Sequence, residues 1–298
     1  MRVLLTGGQG QLGSHLGHFL LNVCECRVVG REEVDLKKPA TLRTALTNFK
    51  PDLIVNTAAY TDVDGAEKNR EHAFAVNALA PGVMADWCAA NGAAMIHFST
   101  DYVYDGSGIR PHFEDSEPRP INVYGESKLA GDQAIASSGI PHLILRTSWI
   151  YSAVGSNFLL TMLRLGATQE QLSVVSDQIG APTSAELVAS TTAGIIEQIH
   201  DIGIKGFFGK ANLVHCAASG QTSWHGFSEA IFAGARLRGV QLRVKEVTPI
   251  SSVEYPTPAI RPANSRLSLK RLKDNYAIEM PDWRDELDNV LDKIFGLR

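Results

Sequence analysis

The first half of the chain alternates short apolar runs with amphipathic segments, and no other feature restricts the possible folds as strongly. Leu12, Leu16 and Phe19 lie on one face of a predicted helix, and Pro39 opens a second helical segment. The apolar runs are RVLLTG (2–7), CRVVG (26–30), DLIVNTA (52–58), AMIHFST (94–100) and HLILRTSWIY (142–151). Nearly continuous apolar strands separated by helices are typical of βαβ units, so we predict an α/β fold with a doubly wound parallel sheet.

Composition and charge exclude several classes of protein. A formal net charge of −4 and an isoelectric point near 6.1 provide no basic surface for nucleic acid. No apolar run approaches the ~18 residues of a membrane span, and the stretch MRVLLTGGQG turns polar too early for a signal peptide. The 4 cysteines form neither a CxxC pair nor a His/Cys metal cluster. We therefore expect a cytoplasmic protein with reduced thiols that binds neither nucleic acid nor membrane.

A glycine-rich loop, TGGQGQLG, lies between the first predicted strand and the first predicted helix. Gly7 allows a tight turn, Gly10 lets backbone N–H groups approach a pyrophosphate, and Gly13 lets the helix pack close to the sheet. The helix dipole then favours the bound anion. Glycines in this place predict a Rossmann-type domain that binds a dinucleotide, whereas a purely structural turn is the alternative for an isolated glycine motif.

The residue after the second predicted strand bears on the choice of cofactor. An acidic residue roughly 20 positions beyond the glycines commonly binds the ribose 2′-hydroxyl, but this strand ends at Gly30 and Arg31. An arginine there suits a 2′-phosphate, which indicates that NADPH is accepted. The other interpretation, a solvated loop arginine, stays open.

The second half of the chain is less regular than the first. Proline and glycine become frequent, as in YPTPAIRPANSR at 255–266, which is typical of loops. We predict a dinucleotide-binding domain over residues 1–150 and a mainly substrate-binding domain over 151–298, the smaller C-terminal region. A helix near 185–200 is expected to return to the sheet.

Tyr124 and Lys128 are four positions apart at the start of a predicted helix and therefore share one face. Thr100 ends the fourth predicted strand, at the edge where open α/β sheets bind ligands. A nearby ammonium lowers the pKa of a phenol, and a hydroxyl can position a substrate oxygen. The three side chains predict a catalytic acid–base group for reducing a carbonyl beside a nicotinamide. In the alternative, Tyr124 packs and Lys128 is solvated.

Longer stretches of the chain resemble a known family. VNTAAYTDVDGAE, FSTDYVYDG and NVYGESKLAG are similar to the extended short-chain dehydrogenase/reductases. LRTSWIY, LSVVSDQIGAPTSAEL and YPTPAIRPANSRL resemble, within that superfamily, the dTDP-4-dehydrorhamnose reductases. The resemblance covers nearly the whole chain. It implies that the 4-keto group of dTDP-4-dehydro-β-L-rhamnose is reduced with NADPH or NADH, in the last step of dTDP-rhamnose biosynthesis.

The resemblance also implies a set of site residues. Cofactor contacts would be Gly10, Gln11, Leu12, Asp35, Leu36, Ala59, Tyr60, Thr61, Phe98, Tyr124 and Lys128. Substrate contacts would be Thr100, Asp101 and Trp149, and the alternative for Trp149 is a core aromatic at a strand end. Apart from the resemblance, Arg261 is a candidate for the substrate diphosphate, because arginine presents a planar fork to phosphate oxygens. The alternative for Arg261 is a surface pair with an acidic neighbour.

Some members of the family join two subunits through Mg²⁺ held by glutamates. Glu186 matches one such position, Asp292 offers a second carboxylate, and His15 stands where another glutamate would be. Mg²⁺ prefers oxygen ligands, so His15 departs from the pattern. The sequence leaves a homodimer open, with Glu186 as the candidate metal ligand.

Two other functions share these motifs. A nucleotide-sugar epimerase or dehydratase of the same superfamily would retain NAD⁺, and dehydratases usually carry an acid pair beside the strand-end hydroxyl. Here Thr100 is followed by Asp101 and Tyr102, so that pair is incomplete. A non-catalytic regulatory subunit, similar to the β subunit of methionine adenosyltransferase, would bind NADP and a partner protein. Steady NADPH consumption with a dTDP-4-keto sugar distinguishes the three.

Overall fold

A six-stranded parallel sheet forms the centre of the protein. The computed structural model describes residues 1–21, 23–203 and 212–297. The strands of the sheet are β1 (Arg2–Thr6), β2 (Glu25–Val29), β3 (Leu53–Asn56), β4 (Ala94–Thr100), β5 (His142–Thr147) and β10 (Leu213–His215). They lie in the order β10-β5-β4-β3-β1-β2, and every neighbouring pair is parallel. This arrangement confirms the predicted doubly wound sheet.

Helices cover both faces of the sheet. They are α1 (Gln11–Leu20), α2 (Pro39–Phe49), α3 (Val63–Lys68), α4 (Arg70–Phe74), α5 (Ala80–Asn91), α6 (Val123–Ser137), α8 (Ala185–Ile202) and α10 (Lys270–Tyr276). Successive strand residues point to opposite faces, so Val3 and Leu5 enter the core beneath α1 and α8 while Leu4 enters the core beneath α2 and α5. Both cores therefore draw on the same apolar strands, which explains why those strands lack a polar alternation.

A second, smaller core lies in the C-terminal half. Its helices and strand pair are α7 (Phe158–Thr168), α9 (Trp224–Leu237), α11 (Trp283–Ile294), β7 (Gln171–Val175) and β12 (Glu246–Ile250). Two short strand pairs join β6 (Ile150–Tyr151) to β9 (Thr183–Ser184) and β8 (Ile179–Gly180) to β11 (Thr222–Ser223). Phe227, Phe232 and Trp283 are buried at the centre of this core. Between the segments that form this core, the chain returns to the central sheet as α8, which packs on α1.

The helical run from Arg70 to Asn91 continues through a π-helical turn at Ala75–Leu79. Among the described residues, it is the one helix that is long and apolar enough to cross a membrane by length and composition. Its Met84 and Cys88 side chains are fully buried in the core beneath α2 and α5. The apolar character of this helix is therefore accounted for by packing against the sheet.

Helix α6 approaches its neighbours so closely that two of its positions have room only for glycine. A Cβ atom on Gly131 would lie 2.1 Å from the carbonyl oxygen of Asn77 in the π-helical turn. A Cβ atom on Gly125 would lie 2.1 Å from the carbonyl oxygen of Tyr102. Because backbone oxygens cannot move aside as a flexible side chain can, these two glycines fix the depth at which α6 sits.

Replacing Gly131 with alanine should therefore destabilise the protein, because the added methyl group meets a backbone carbonyl. Overpacking of this kind typically costs about 1–3 kcal/mol. The matched control is Gly194→Ala on α8, where no heavy atom lies within 4 Å of the added Cβ. The control should be neutral or stabilising by up to ~1 kcal/mol, because alanine favours helix. Urea unfolding midpoints of both variants measure this, and equal midpoints would contradict the packing account.

Candidate active site

The carboxyl ends of β1, β3 and β4 bring the predicted site residues to one edge of the sheet. The chain proceeds from β1 to β2 on one side and returns to β3 on the other, so a crevice opens between β1 and β3. The glycine loop follows β1, the segment Ala59–Thr61 follows β3, and Thr100 ends β4. Residues from three separate strands therefore line the same crevice.

The three loop glycines have different structural reasons to be glycine. Gly7 has φ of 76° and its Cβ atom would lie 2.7 Å from the backbone nitrogen of Ala58. A Cβ atom on Gly13 would lie 2.1 Å from the carbonyl oxygen of Gly7. Gly10 has ordinary backbone geometry as the N-cap of α1, and its Cβ would meet only the Gly7 oxygen at 3.2 Å. Folding requires glycine at positions 7 and 13. Packing does not require glycine at position 10, so the missing side chain there can instead make room for a ligand.

The other predicted cofactor residues near the loop are held in different ways. Gln11 begins α1, and its Oε1 accepts a hydrogen bond from Asn157 Nδ2 at 2.8 Å. Arg31 is exposed after β2, and Asp35 Oδ1 accepts from the backbone N–H of Lys37 at 3.1 Å. The hydrophobic side chains Leu12 and Leu36 pack into the two cores of the sheet. Leu36 is buried and leaves mainly its backbone for a ligand, whereas Leu12 is only partly buried.

The segment after β3 is fixed by a residue that the sequence did not single out. Asn77, in the π-helical turn, accepts from the Tyr60 N–H at 2.8 Å and donates to the Tyr60 carbonyl at 3.0 Å. Its Nδ2 also donates to Ser127 Oγ at 2.9 Å, on α6. Asn77 therefore ties the backbone of Tyr60 to α6. Its polar side chain within an apolar helix was the only sequence signal.

Thr100, Asp101 and Tyr124 form a compact polar group at the end of β4. Thr100 Oγ1 donates to Asp101 Oδ1 at 3.2 Å, and the Thr100 hydroxyl lies close enough to the Tyr124 phenol to oppose the rise of its pKa. Burial raises the pKa of Asp101 to about 7, although hydrogen bonds from Ser265 and Thr100 oppose the rise. The ring of Tyr124 meets Tyr102 edge-on at 5.5 Å between centroids. Thr100 and Tyr124, predicted to belong to one acid–base group, thus lie side by side, and their catalytic roles stay a prediction.

Lys128 is buried one helical turn beyond Tyr124 and points beneath β4. Its Nζ donates to the Phe98 carbonyl at 2.6 Å and lies 3.1 Å from His97 Nε2. Burial lowers the pKa of Lys128 to about 8, and the Asp132 carboxylate opposes that change. The expectation that Lys128 lowers the pKa of Tyr124 is wrong for this arrangement. Burial instead raises the pKa of the Tyr124 phenol, with Thr100 opposing, because Lys128 turns to Phe98 and His97.

A buried ion pair supports Lys128 from the same helix. Asp132 lies one turn further along α6. Its Oδ2 accepts hydrogen bonds from Arg146 Nη2 of β5 at 3.1 Å and from Ser99 Oγ at 2.9 Å. Both charged side chains are nearly inaccessible, at 4% exposed each. Such a pair is costly to break because the remaining charge would stay buried. The pair fixes α6 to β5, and the sequence offered no signal for it.

Trp149 has an unusual backbone and stacks on a second tryptophan. Its φ is 49°, in the left-handed region that bulky residues seldom adopt. Its indole stacks on Trp224 at 3.6 Å between centroids, and Gly180 packs against the same ring. Trp224 Nε1 donates to Gln178 at 3.2 Å, which fixes the stack. Sequence reasoning missed Trp224, which lies 75 positions from Trp149 in a separate element.

Arg261 is engaged by an acidic neighbour. Its Nη2 donates to Asp64 Oδ2 at 2.7 Å and its Nη1 to Asp64 Oδ1 at 3.2 Å. The hydrogen bonds from Arg261 lower the pKa of the Asp64 carboxyl group. The structure therefore matches the alternative interpretation of Arg261 as one half of an ion pair. A contact with substrate phosphates remains a proposal.

The candidate metal position does not suit Mg²⁺. Glu186 forms an ion pair with Lys293, and His15 Nε2 lies 3.2 Å from Ser152 Oγ. Asp292 pairs with Arg238 at 2.6 Å. Within the described residues, no group of three acidic, histidine or cysteine side chains could hold a metal ion. The Lys293 ammonium thus pairs with the carboxylate that a metal ion would need. We therefore assign no catalytic role to a metal.

The glycine geometry predicts that Gly10→Ala and Gly13→Ala fail for different reasons. Gly10→Ala should leave the free energy of unfolding within ~1 kcal/mol of wild type, because its Cβ has space. It should nevertheless weaken NADPH binding at least ~10-fold, because the added methyl group keeps the pyrophosphate away from the backbone N–H groups. Gly13→Ala should lower stability by ~2 kcal/mol or more, because its Cβ meets a carbonyl. Thermal unfolding with NADPH fluorescence titration measures both. Full NADPH affinity in Gly10→Ala would remove the loop from the cofactor site.

Comparison with known proteins agrees with this geometry. A family model described as "RmlD substrate binding domain" matches residues 1–295. The chain is 43% identical to a dTDP-4-dehydrorhamnose reductase of Burkholderia thailandensis, over 95% of this chain and 96% of that one. It is 39% identical to the enzyme of the same name from Escherichia coli K12, over 99% and 98%. The crystal structure of dTDP-4-dehydrorhamnose reductase from Bacillus anthracis in complex with NADP superposes with a TM-score of 0.87 at 33% identity, covering 98% and 99%. The chain therefore belongs to the RmlD substrate binding domain family, whose members compared above are dTDP-4-dehydrorhamnose reductases.

Proposed function

We propose that this protein uses NAD(P)H to reduce the 4-keto group of dTDP-4-dehydro-β-L-rhamnose, giving dTDP-L-rhamnose in the last step of dTDP-rhamnose biosynthesis. The observation that carries the proposal is the contact between Thr100 and Tyr124 beside the buried Lys128. This group lies at the carboxyl edge of the sheet, next to the glycine loop. Relatives that carry the reductase name over nearly their whole length support the choice of substrate.

The residues of this chain supply the proton and the orientation. When bound, the reduced nicotinamide supplies the hydride to the carbonyl carbon. Tyr124 Oη donates the proton to the sugar oxygen, and its raised pKa keeps the phenol protonated near pH 7. The Thr100 hydroxyl orients that oxygen, and Asp101, with a pKa of about 7, can donate or accept a hydrogen bond at a sugar hydroxyl.

We assign the cofactor to the crevice between β1 and β3. The loop glycines and the N-terminus of α1 suit a pyrophosphate, since unpaired N–H groups and the helix dipole favour an anion there. Arg31 is exposed beside this crevice and is available to a 2′-phosphate, which favours NADPH. The neighbouring Bacillus anthracis structure holds NADP. Asp35, Ala59, Thr61 and Phe98 would contribute the remaining contacts implied by the family.

The substrate would lie between the sheet and the C-terminal half. Residues 1–150 would then serve mainly the cofactor and residues 151–298 mainly the dTDP-sugar, with Trp149 at the boundary. The four cysteines are free thiols, which agrees with a protein of the cytoplasm. A homodimer is compatible with these assignments.

The geometry disfavours the competing functions. A dehydratase requires an added acid next to Asp101, but that position is Tyr102, and burial raises the pKa of its phenol. A non-catalytic subunit has no need of Thr100 beside Tyr124 with a buried lysine nearby. Turnover of a 4-keto sugar with stoichiometric loss of NADPH is therefore expected.

Replacing Tyr124 with phenylalanine removes only the proton donor. Positioned acid catalysis is typically worth ~10²–10⁴-fold in rate, so kcat for NADPH oxidation with dTDP-4-dehydro-β-L-rhamnose, generated in situ, should fall by that range. NADPH binding, followed by fluorescence, should stay close to wild type. The control is Tyr102→Phe, whose ring packs beside Tyr124 and should retain most activity. Comparable turnover in wild type and Tyr124→Phe would remove Tyr124 from the mechanism.

The role of Arg261 can be separated from its ion pair by comparing two variants. If the guanidinium reaches the substrate diphosphate, Arg261→Ala should raise KM for the dTDP-sugar several-fold, while Asp64→Asn should leave it near wild type. KM for NADPH should not change in either variant, because the cofactor lies across the crevice. Equal increases in both variants would instead limit Arg261 to its tie with Asp64.

A further inference from the structure

A row of buried polar side chains runs under the sheet to the catalytic lysine. Thr6 Oγ1 hydrogen-bonds Asn56 Oδ1 at 2.6 Å, and Asn56 Nδ2 lies 3.0 Å from His97 Nδ1. His97 Nε2 in turn lies 3.1 Å from Lys128 Nζ. Thr6, Asn56 and His97 come from β1, β3 and β4, and all are at most 1% exposed. Side chains of three neighbouring strands thus lead to one catalytic nitrogen.

His97 is neutral in this position, so its single ring proton defines which nitrogen donates. Burial and the Lys128 charge both hold the pKa of His97 well below its ordinary value. In the orientation with Asn56 Nδ2 donating to Nδ1, the proton is on Nε2 and faces a lysine amine. A half-turn of the Asn56 amide places the proton on Nδ1, and Nε2 then accepts from a lysine ammonium. Thr6 can donate or accept, so it satisfies either orientation.

We propose that His97 is a positioning residue for Lys128, which offers the lysine nitrogen a hydrogen-bond partner in both of its charge states. With the Phe98 carbonyl as the second partner, one N–H of the ammonium remains for the cofactor ribose. This inference rests on the proposed function, because it assumes that Lys128 holds the cofactor.

A second buried histidine of the same sheet shows what a structural histidine looks like here. His215 on β10 contacts Tyr104 Oη at 2.8 Å and the Ser268 carbonyl at 3.2 Å. Tyr104 Oη also donates to the Phe113 carbonyl and accepts from Arg146 Nη1, and no described direct partner of His215 belongs to the Thr100, Tyr124 and Lys128 group. His97 differs because its Nε2 lies within hydrogen-bond distance of Lys128 Nζ.

The charged groups around Lys128 are few and already committed. On α6, Asp132 is paired with Arg146 of β5 at 3.1 Å. On β4, His97 is neutral, and Asp101 beyond it is hydrogen-bonded to Thr100. The phenol of Tyr124 is protonated in this environment. The titration of Lys128 should therefore respond to loss of the His97 acceptor more than to any other nearby change.

Two amide substitutions test this with matched chemistry. In His97→Asn the amide reaches the position of Nδ1 and can still bond Asn56, whereas in His97→Gln it reaches the position of Nε2 and can bond Lys128. The dissociation constant of NADPH is measured by fluorescence from pH 6 to 10, together with kcat. Wild-type affinity should fall as pH rises through about 8, where Lys128 loses its charge.

In His97→Asn both charge states of Lys128 lose a partner, but the ammonium loses the stronger, charge-assisted hydrogen bond, so the fall in affinity should begin about one pH unit lower. At pH 8 this gives roughly fivefold weaker binding and a similar loss of kcat, because the charged fraction of the lysine falls from about one half to about one eleventh. His97→Gln should follow the wild-type curve within about threefold. The proposal would be overturned if NADPH affinity depended on pH identically in His97→Asn and His97→Gln, or if the loss of affinity in His97→Asn were equal at every pH. NADPH binding needs no sugar, so a wild type that binds NADPH without sugar turnover would defeat only the proposed function.

Discussion

The hydrogen bond from Lys128 to the Phe98 carbonyl, 2.6 Å long, is the contact on which the site depends. It can form only because α6 lies against the end of β4, and α6 lies there because Gly125 and Gly131 admit the carbonyls of Tyr102 and Asn77. A buried ammonium is stable only with committed partners. The sheet supplies them through its own backbone and through His97, so the catalytic group is part of the core rather than an addition to its surface.

The same helix explains how the two halves of the chain act on one site. Asn122, the N-cap of α6, donates through Nδ2 to the carbonyl of Ile260 at 2.8 Å. Arg261 next to it pairs with Asp64 after β3. The loop that precedes α10 is therefore tied to this edge of the sheet at Asn122 and at Asp64.

Much of this arrangement was predictable from local sequence patterns. The apolar runs identified the five strands of the first half, and the glycine loop, Thr100, Tyr124 and Lys128 do lie at the carboxyl edge of the sheet, where their catalytic roles stay a prediction. Partners distant in sequence could not be predicted in the same way. Asn77, His97 and Trp224 are single polar or aromatic residues in apolar surroundings, and only the tertiary fold decides what they contact. Burial raises the pKa of Tyr124, opposite to the expected direction. The expectation failed because a spacing of four residues does not say where the lysine nitrogen points.

Transfer of the hydride to the sugar is the step that most directly tests the central claim of a catalytic reductase. The measurement is mass spectrometry of the dTDP-sugar formed from dTDP-4-dehydro-β-L-rhamnose with NADPH carrying deuterium at C4 of the nicotinamide. A reductase places one deuterium on C4 of the sugar from one face of the nicotinamide, and NADPH is consumed in equal amount. Sugar conversion without deuterium, or with no loss of NADPH, would indicate an epimerase or dehydratase with retained cofactor and would contradict the account.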